Sequence, residues 1–212
     1  MTVGILEDIY TAIVEGKVED AAAGVEQGLN SGIEVDDILK KSLLSAMDLV
    51  GERFGEGEIF IPQVIWSAKA MQAGMDLLRP HFSEDQQKKS VRIIIGTAQG
   101  DIHDIGKNLV GMMLEGAGFE VVDLGVDIKP EQFVEKAAEE KADIIAVSAL
   151  LTTTMRSMAD VVTLKNEKEL SSVKVIVGGA PLSMAFCREI GADSFGVDAM
   201  DAVGKVKELM GL

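Results

Sequence analysis

Two rhythms of apolar residues divide the chain. Through the first part, apolar positions recur at helical spacing. The clearest run is Val35, Ile38, Leu39, Leu43, Ala46, Met47 and Val50, which follows the i, i+3, i+4, i+7 pattern of one buried stripe. Shorter stretches of the same kind cover 5–14 and 18–29, separated at Gly16. A fourth follows Pro62, a residue suited to a first helical turn, and runs through Ile65, Ala68, Met71 and Met75 to Leu78, with Pro80 ending it. Four helices with short connections predict a helical bundle over residues 1–82.

Residues 83–90 (SEDQQKKS) are polar and without period, which predicts a linker. Beyond it the rhythm changes. The runs VRIIIGT, FEVVDLG, DIIAVSAL, VKVIVGG and DSFGVD alternate with helical patterns near 107–117, 130–141, 153–165, 181–190 and 199–210. Strands that are apolar at nearly every position belong to a parallel sheet covered on both faces. The expected fold class is therefore α/β: an N-terminal four-helix bundle, then a five-stranded parallel, doubly wound, Rossmann-like (flavodoxin-like) domain over 91–212.

Composition narrows the function. With 47% hydrophobic residues the chain can build packed cores, so disorder is excluded. It carries 20 Lys+Arg against 35 Asp+Glu, a net charge of −15, which argues against nucleic acid and anionic membranes as partners. The single cysteine, Cys187, excludes a disulfide framework and a multi-thiolate zinc site. No basic segment with an apolar core opens the chain and no apolar run approaches a membrane span of about 18 residues, so a cytoplasmic location is expected.

Candidate chemistry gathers at the predicted strand ends. Open parallel sheets bind ligands beyond the carboxyl ends of their strands, where the strand order reverses; here that is expected between the first and third strands. After the first strand comes GTAQGDIHDIG, with Gly100, Asp101, His103, Asp104 and Gly106. Ser148 and the run Thr152, Thr153, Thr154 follow the third, and Gly178, Gly179 and Ala180 the fourth. A carboxylate two residues before His103 can take one ring N–H and leave the other nitrogen as a metal ligand, with the Ser148 hydroxyl orienting that carboxylate. His81, beside Pro80, has no such company.

Other doubly wound chemistries fit poorly. No GxGxxG and no Gly-Lys-Ser/Thr follows the first strand, and Ser148 lacks a G-x-S-x-G setting. It also stands where a receiver-type phospho-acceptor would need an aspartate. A zinc site made of Asp101, His103 and Asp104 alone would be cramped.

Asp101-Ile102-His103-Asp104-Ile105-Gly106 resembles the D-x-H-x-x-G signature of cobalamin-binding domains, and the resemblance continues at Ser148 and Leu150 (S-x-L) and at Gly178-Gly179. It implies that His103 is the lower axial ligand to cobalt, that Asp101 holds His103, and that Ser148 completes the relay. Gly106, Leu150, Thr152, Gly178 and Gly179 would line the slot for the displaced nucleotide tail, with Gly100, Ile102, Asp104, Ile105, Thr153 and Ala180 beside them. In the N-terminal part, Met47-x-x-Val50-Gly51-x-x-Phe54-x-x-Gly57, then Ile61-Pro62 and Ser67-Ala68-x-x-Met71, is similar to the helical cap module of methionine synthase and corrinoid methyl carriers. That likeness sets Gln63, Ala70 and Met71 over the corrin.

A cap joined to a corrinoid domain resembles the carrier subunit of anaerobic methyltransferase systems. The likeness implies cobalamin or a related cobamide cycling between methyl-Co(III) and Co(I). It implies three partners: a substrate-specific corrinoid methyltransferase, a methylcorrinoid:tetrahydrofolate or thiol-coenzyme methyltransferase, and a reductive activase. Such a carrier turns over little or nothing alone. Two other readings share the signature. A cobalamin-sensing regulator usually adds an N-terminal DNA-binding module, whereas this chain opens on the helical pattern. The small subunit of an adenosylcobalamin-dependent mutase would not need residues 1–82.

Overall fold

The computed structural model describes residues 2–82 and 91–212, and the expected linker at 83–90 lies outside the described residues. The chain forms two compact units, Met1–Ser90 with Glu115–Gly118 and Val91–Leu114 with Phe119–Leu212. Among the described residues no helix is long and apolar enough to cross a membrane.

The helical unit contains α1 (Thr2–Val14), α2 (Val18–Asn30), α3 (Val35–Ile38), α4 (Ser45–Gly55) and α5 (Ile61–Leu78), which ends in a 3-10 turn at Arg79–His81. α3 and α4 are continuous through a π-helical segment, Leu39–Leu44. This wider turn is the departure from the expected period. The buried apolar positions step five residues from Ile38 to Leu43 and then resume helical spacing at Ala46, Met47 and Val50. Ser42 is buried within the segment, and its hydroxyl donates to the Leu6 carbonyl of α1 at 2.9 Å. On α5 the buried stripe runs through Val64, Ala68, Met71, Met75 and Leu78.

The α/β unit is a five-stranded sheet, all parallel, in the order β2-β1-β3-β4-β5, with β1 (Arg92–Thr97), β2 (Glu120–Asp123), β3 (Ile144–Ser148), β4 (Lys174–Gly178) and β5 (Ser194–Gly196). The order reverses between β1 and β3, as the doubly wound reading requires. Between the strands run α6 (Ile105–Gly116), α7 (Pro130–Glu140), α8 (Met155–Glu167) and α9 (Met184–Ile190), and α10 (Ala199–Met210) follows β5.

Strand pleat sorts the side chains. Ile94, Ile145, Val147, Val175 and Val177 join one core with Phe133 and Val134 of α7 and Met158, Val161 and Val162 of α8. Ile95, Ala146 and Ile176, level with one another across β1, β3 and β4, turn to the other face, toward α6 and α10. That second face is only partly filled, and the space left there positions the site.

Candidate functional site

At the switch point the strand-end loops are tied together by backbone bonds. The Ala98 N–H donates to the Ser148 carbonyl at 2.8 Å, Ala149 N–H to Gly178 at 3.1 Å, and Asp127 N–H to Asp101 at 2.9 Å. Gly179 has φ +135°, and a Cβ there would fall 1.8 Å from the Ala149 carbonyl oxygen, so only glycine allows these two loops to meet.

Within this frame Asp101 has no exposed surface and His103 lies above it with 48% of its side chain exposed. Asp101 Oδ1 accepts from the His103 backbone N–H at 3.1 Å and stands 2.7 Å from His103 Nδ1. The second carboxylate oxygen, Oδ2, accepts from the Leu150 N–H at 2.7 Å, the Leu151 N–H at 3.2 Å and the Thr154 hydroxyl at 3.0 Å. Burial alone would raise the Asp101 carboxyl. The bonds from the His103 ring, the His103 and Leu150 amides and Thr154 outweigh it and hold the group well below the usual carboxylate range. Asp101 is therefore an anion at neutral pH, which makes Nδ1 the protonated ring nitrogen and leaves the Nε2 lone pair for a ligand. The loop itself is anchored by the Thr97 hydroxyl, which donates to the His103 carbonyl at 3.0 Å.

Beside His103 a cavity of about 630 Å³ opens between the sheet and helices α6 and α10. It falls within the range of small-molecule sites, about 300–1,000 Å³. Of the residues singled out in the sequence, Ile102, His103, Asp104, Ile105, Gly106, Ser148, Leu150, Gly178, Gly179 and Ala180 line it. Gly100, Thr152 and Thr153 do not. Ile102 and Ile105, which flank His103 in sequence, are 74% and 77% exposed on the lining of the cavity. Gly106 is the second residue of helix α6, with no left-handed backbone, and a Cβ there would meet nothing within 4 Å. Its missing side chain serves neither turn nor packing; it keeps the mouth of the cavity clear.

One expectation shifts. The hydroxyl that reaches Asp101 belongs to Thr154, six residues beyond Ser148 at the start of α8, whereas Ser148 sits in the cavity wall. The sequence showed the threonine run but carried no signal for which hydroxyl turns back, because that depends on where α8 begins. Of the residues expected on the helical cap, Ala70 and Met71 are buried on α5. Gln63 is exposed, but its Oε1 accepts from the Phe60 N–H at 2.8 Å and closes the first turn of its own helix. Lining residues on α6 and α10, such as Leu109, Leu114, Ala202 and Val206, were legible only as core positions.

Among the described residues no three His, Cys, Asp or Glu side chains gather to hold a metal ion. A single imidazole beside a deep slot with a cleared mouth suits a metal that arrives in its own macrocycle and contributes a pendant tail. Comparison with known proteins agrees. Two family models, each described as a B12 binding domain, match residues 5–79 and 91–204. A dimethylamine corrinoid protein of Methanosarcina acetivorans is 42% identical over 208 residues, 98% of this chain and 97% of that one. A corrinoid protein of Desulfitobacterium hafniense is 40% identical over the whole of both chains. The solved methanol:cobalamin methyltransferase complex MtaBC of Methanosarcina barkeri contains a chain that superimposes with a TM-score of 0.87 at 29% identity, covering 98% of this chain and 80% of that one.

Proposed function

The chain belongs to the corrinoid proteins built on B12 binding domains, its cofactor is a corrinoid, and from that premise we propose that it carries a methyl group on cobalt between two methyltransferases. One observation carries the reading at the site: an imidazole clamped through Nδ1 by a buried carboxylate, with Nε2 presented beside a slot.

In this proposal His103 would hold the cobalt, Asp101 fixes the tautomer of His103, and Thr154 with the Leu150 and Leu151 amides fixes Asp101. The slot behind Gly106 and Ser148 takes the nucleotide tail. When bound, the corrinoid supplies a cobalt centre that accepts a methyl group and gives it up again. The protein's part is to set how strongly the imidazole binds, since a carboxylate on the far ring nitrogen raises ligand basicity. Ile102 and Ile105, exposed on the rim of the slot, would give a bound corrinoid an apolar surface to rest on.

A substrate-specific corrinoid methyltransferase would supply the methyl group. Relatives named for dimethylamine and trimethylamine, and the methanol complex, support a small methylated amine or alcohol as donor. A methylcorrinoid methyltransferase acting on tetrahydrofolate or a thiol coenzyme would consume it, with a reductive activase restoring the cofactor.

The test combines spectroscopy with transfer. Protein reconstituted with cobalamin and reduced to Co(II) should show imidazole nitrogen coupling in its spin-resonance spectrum, and His103→Ala should lose it. Coupling that survives the substitution removes His103 as ligand. Labelled methyl should reach the protein from methylamine or methanol only when a cognate methyltransferase is present; failure with every such partner would overturn the carrier reading.

A further inference from the structure

The slot has two tiers, and their chemistry differs. The outer tier, level with Ser148, Gly178 and Gly196, is mixed: it includes the polar side chains of His103, Asp104, Lys107, Ser148 and Asp198 beside Leu150 and Val197. Lys107 is already engaged there, paired with Asp123 and donating to Asn108 Oδ1 at 2.6 Å. The inner tier is aliphatic throughout: Ile95, Ala146 and Ile176 from the sheet, Leu114 from α6, and Ala202 and Val206 from α10. Its backbone offers nothing more. β1, β3 and β4 are each paired on both sides, so their amides and carbonyls are occupied by the ladder, and those of the helices by the helices.

A cobamide's tail leaves the corrin through an amide and phosphate, continues through ribose, and ends in the lower base. With the ring held at His103, the phosphate and ribose would meet the outer tier and the base would enter the inner one. This rests on the corrinoid reading above and adds to it. We infer that the inner tier selects cobamides by their lower base, accepting benzimidazole-type bases and rejecting purines. An adenine brings an exocyclic amine and additional ring nitrogens into a place with no partner for them, whereas dimethylbenzimidazole brings methyl groups and a single free nitrogen. One buried polar group left without a partner weakens binding by about tenfold or more.

The experiment is equilibrium binding of cobamides to the ligand-free full chain, followed by the visible spectrum, with three probes. These are cobalamin, the adenine-bearing cobamide, and cobinamide, which has no nucleotide tail. Cobalamin should bind at least about tenfold more tightly than the adenine form. Val206→Thr places a hydroxyl in the inner tier at nearly constant volume, and it should shrink that ratio several-fold; because the readout is a ratio, a general loss of affinity does not move it. Equal affinities, a preference for adenine, or an unchanged ratio in V206T would each overturn the selection. Cobinamide binding as tightly as cobalamin would show that the slot takes no tail, overturning it as well. A chain that binds none of the three would instead overturn the corrinoid reading itself.

Discussion

Thr154→Val isolates the hydroxyl that the structure assigns to Asp101. The threonine is 6% exposed, and its Oγ1 lies 3.0 Å from Asp101 Oδ2 and 2.8 Å from the Leu151 carbonyl. A hydroxyl has one proton, and the carboxylate, being ionised, is the stronger acceptor. Valine keeps the branched shape, and no helix cap is lost, since the Thr154 side chain caps nothing on α8. What disappears is one bond to a buried charge, about 1.5–3 kcal/mol, while the Leu150 and Leu151 amides continue to serve the same oxygen. Urea unfolding of the ligand-free protein at neutral pH should therefore show T154V less stable by about that amount, with Thr154→Ser recovering most of it. Ser148→Ala, which touches the cavity wall and not the carboxylate, should stay within about 0.5 kcal/mol of the parent. If T154V is as stable as the parent, or S148A costs as much as T154V, the hydroxyl has been assigned to the wrong residue.

Gly96→Ala should destabilise the sheet by about 1–3 kcal/mol, because a Cβ there would sit 2.8 Å from the Phe133 ring. Adding Phe133→Leu should cost less than the two changes summed, read by urea melts of both singles and the double. Asp101 also gives stability a pH dependence of known sign. Its carboxyl is depressed in the fold, so the contribution is full above the unfolded value of about 4 and is lost as pH falls toward the folded one. Unfolding between about pH 6 and 3 should show Asp101→Asn with a shallower decline than the parent, and parallel curves would contradict the network. Gly106→Val should leave the far-ultraviolet circular dichroism unchanged yet weaken cobalamin binding more than cobinamide binding, because the side chain meets only the mouth of the slot.

Most of the fold was legible because its central strands are apolar at nearly every position. Three β-branched residues in succession, Ile93, Ile94 and Ile95, suit a strand covered on both faces, and all three are buried. Element ends were less legible, for local reasons. α6 begins at Ile105, two residues before the apolar pattern suggests, and the Asp104 carbonyl accepts the Asn108 N–H at 2.7 Å in its first turn. α9 starts only at Met184, where the Ser183 side chain accepts from Phe186 N–H; Pro181 lies in the turn before it. The π-helical segment left no trace at all, because a wider turn changes hydrogen bonding and not residue type. β5 spans three residues and is defined by its pairing to β4 more than by its own composition.

The site's misplaced hydroxyl has a different origin: strand parity excludes Ser148, although it does not choose among the threonines that follow. Ser148 shares a face with Ile144 and Ala146, so the pleat turns its side chain toward α6 and α10 and into the slot. Asp101 is gripped by residues that have already left β3: the amides of Leu150 and Leu151 and the hydroxyl that opens α8. A spacing motif registers both groups as one cluster at a strand end, although they face different tasks. One set holds a carboxylate that holds an imidazole. The other lines the wall of the slot. The Ser148 backbone still serves the first set, since its carbonyl accepts from Ala98 and so fixes the start of the Asp101 loop. Its side chain serves only the second, which is why altering that side chain should change what enters the slot and leave the imidazole where it is.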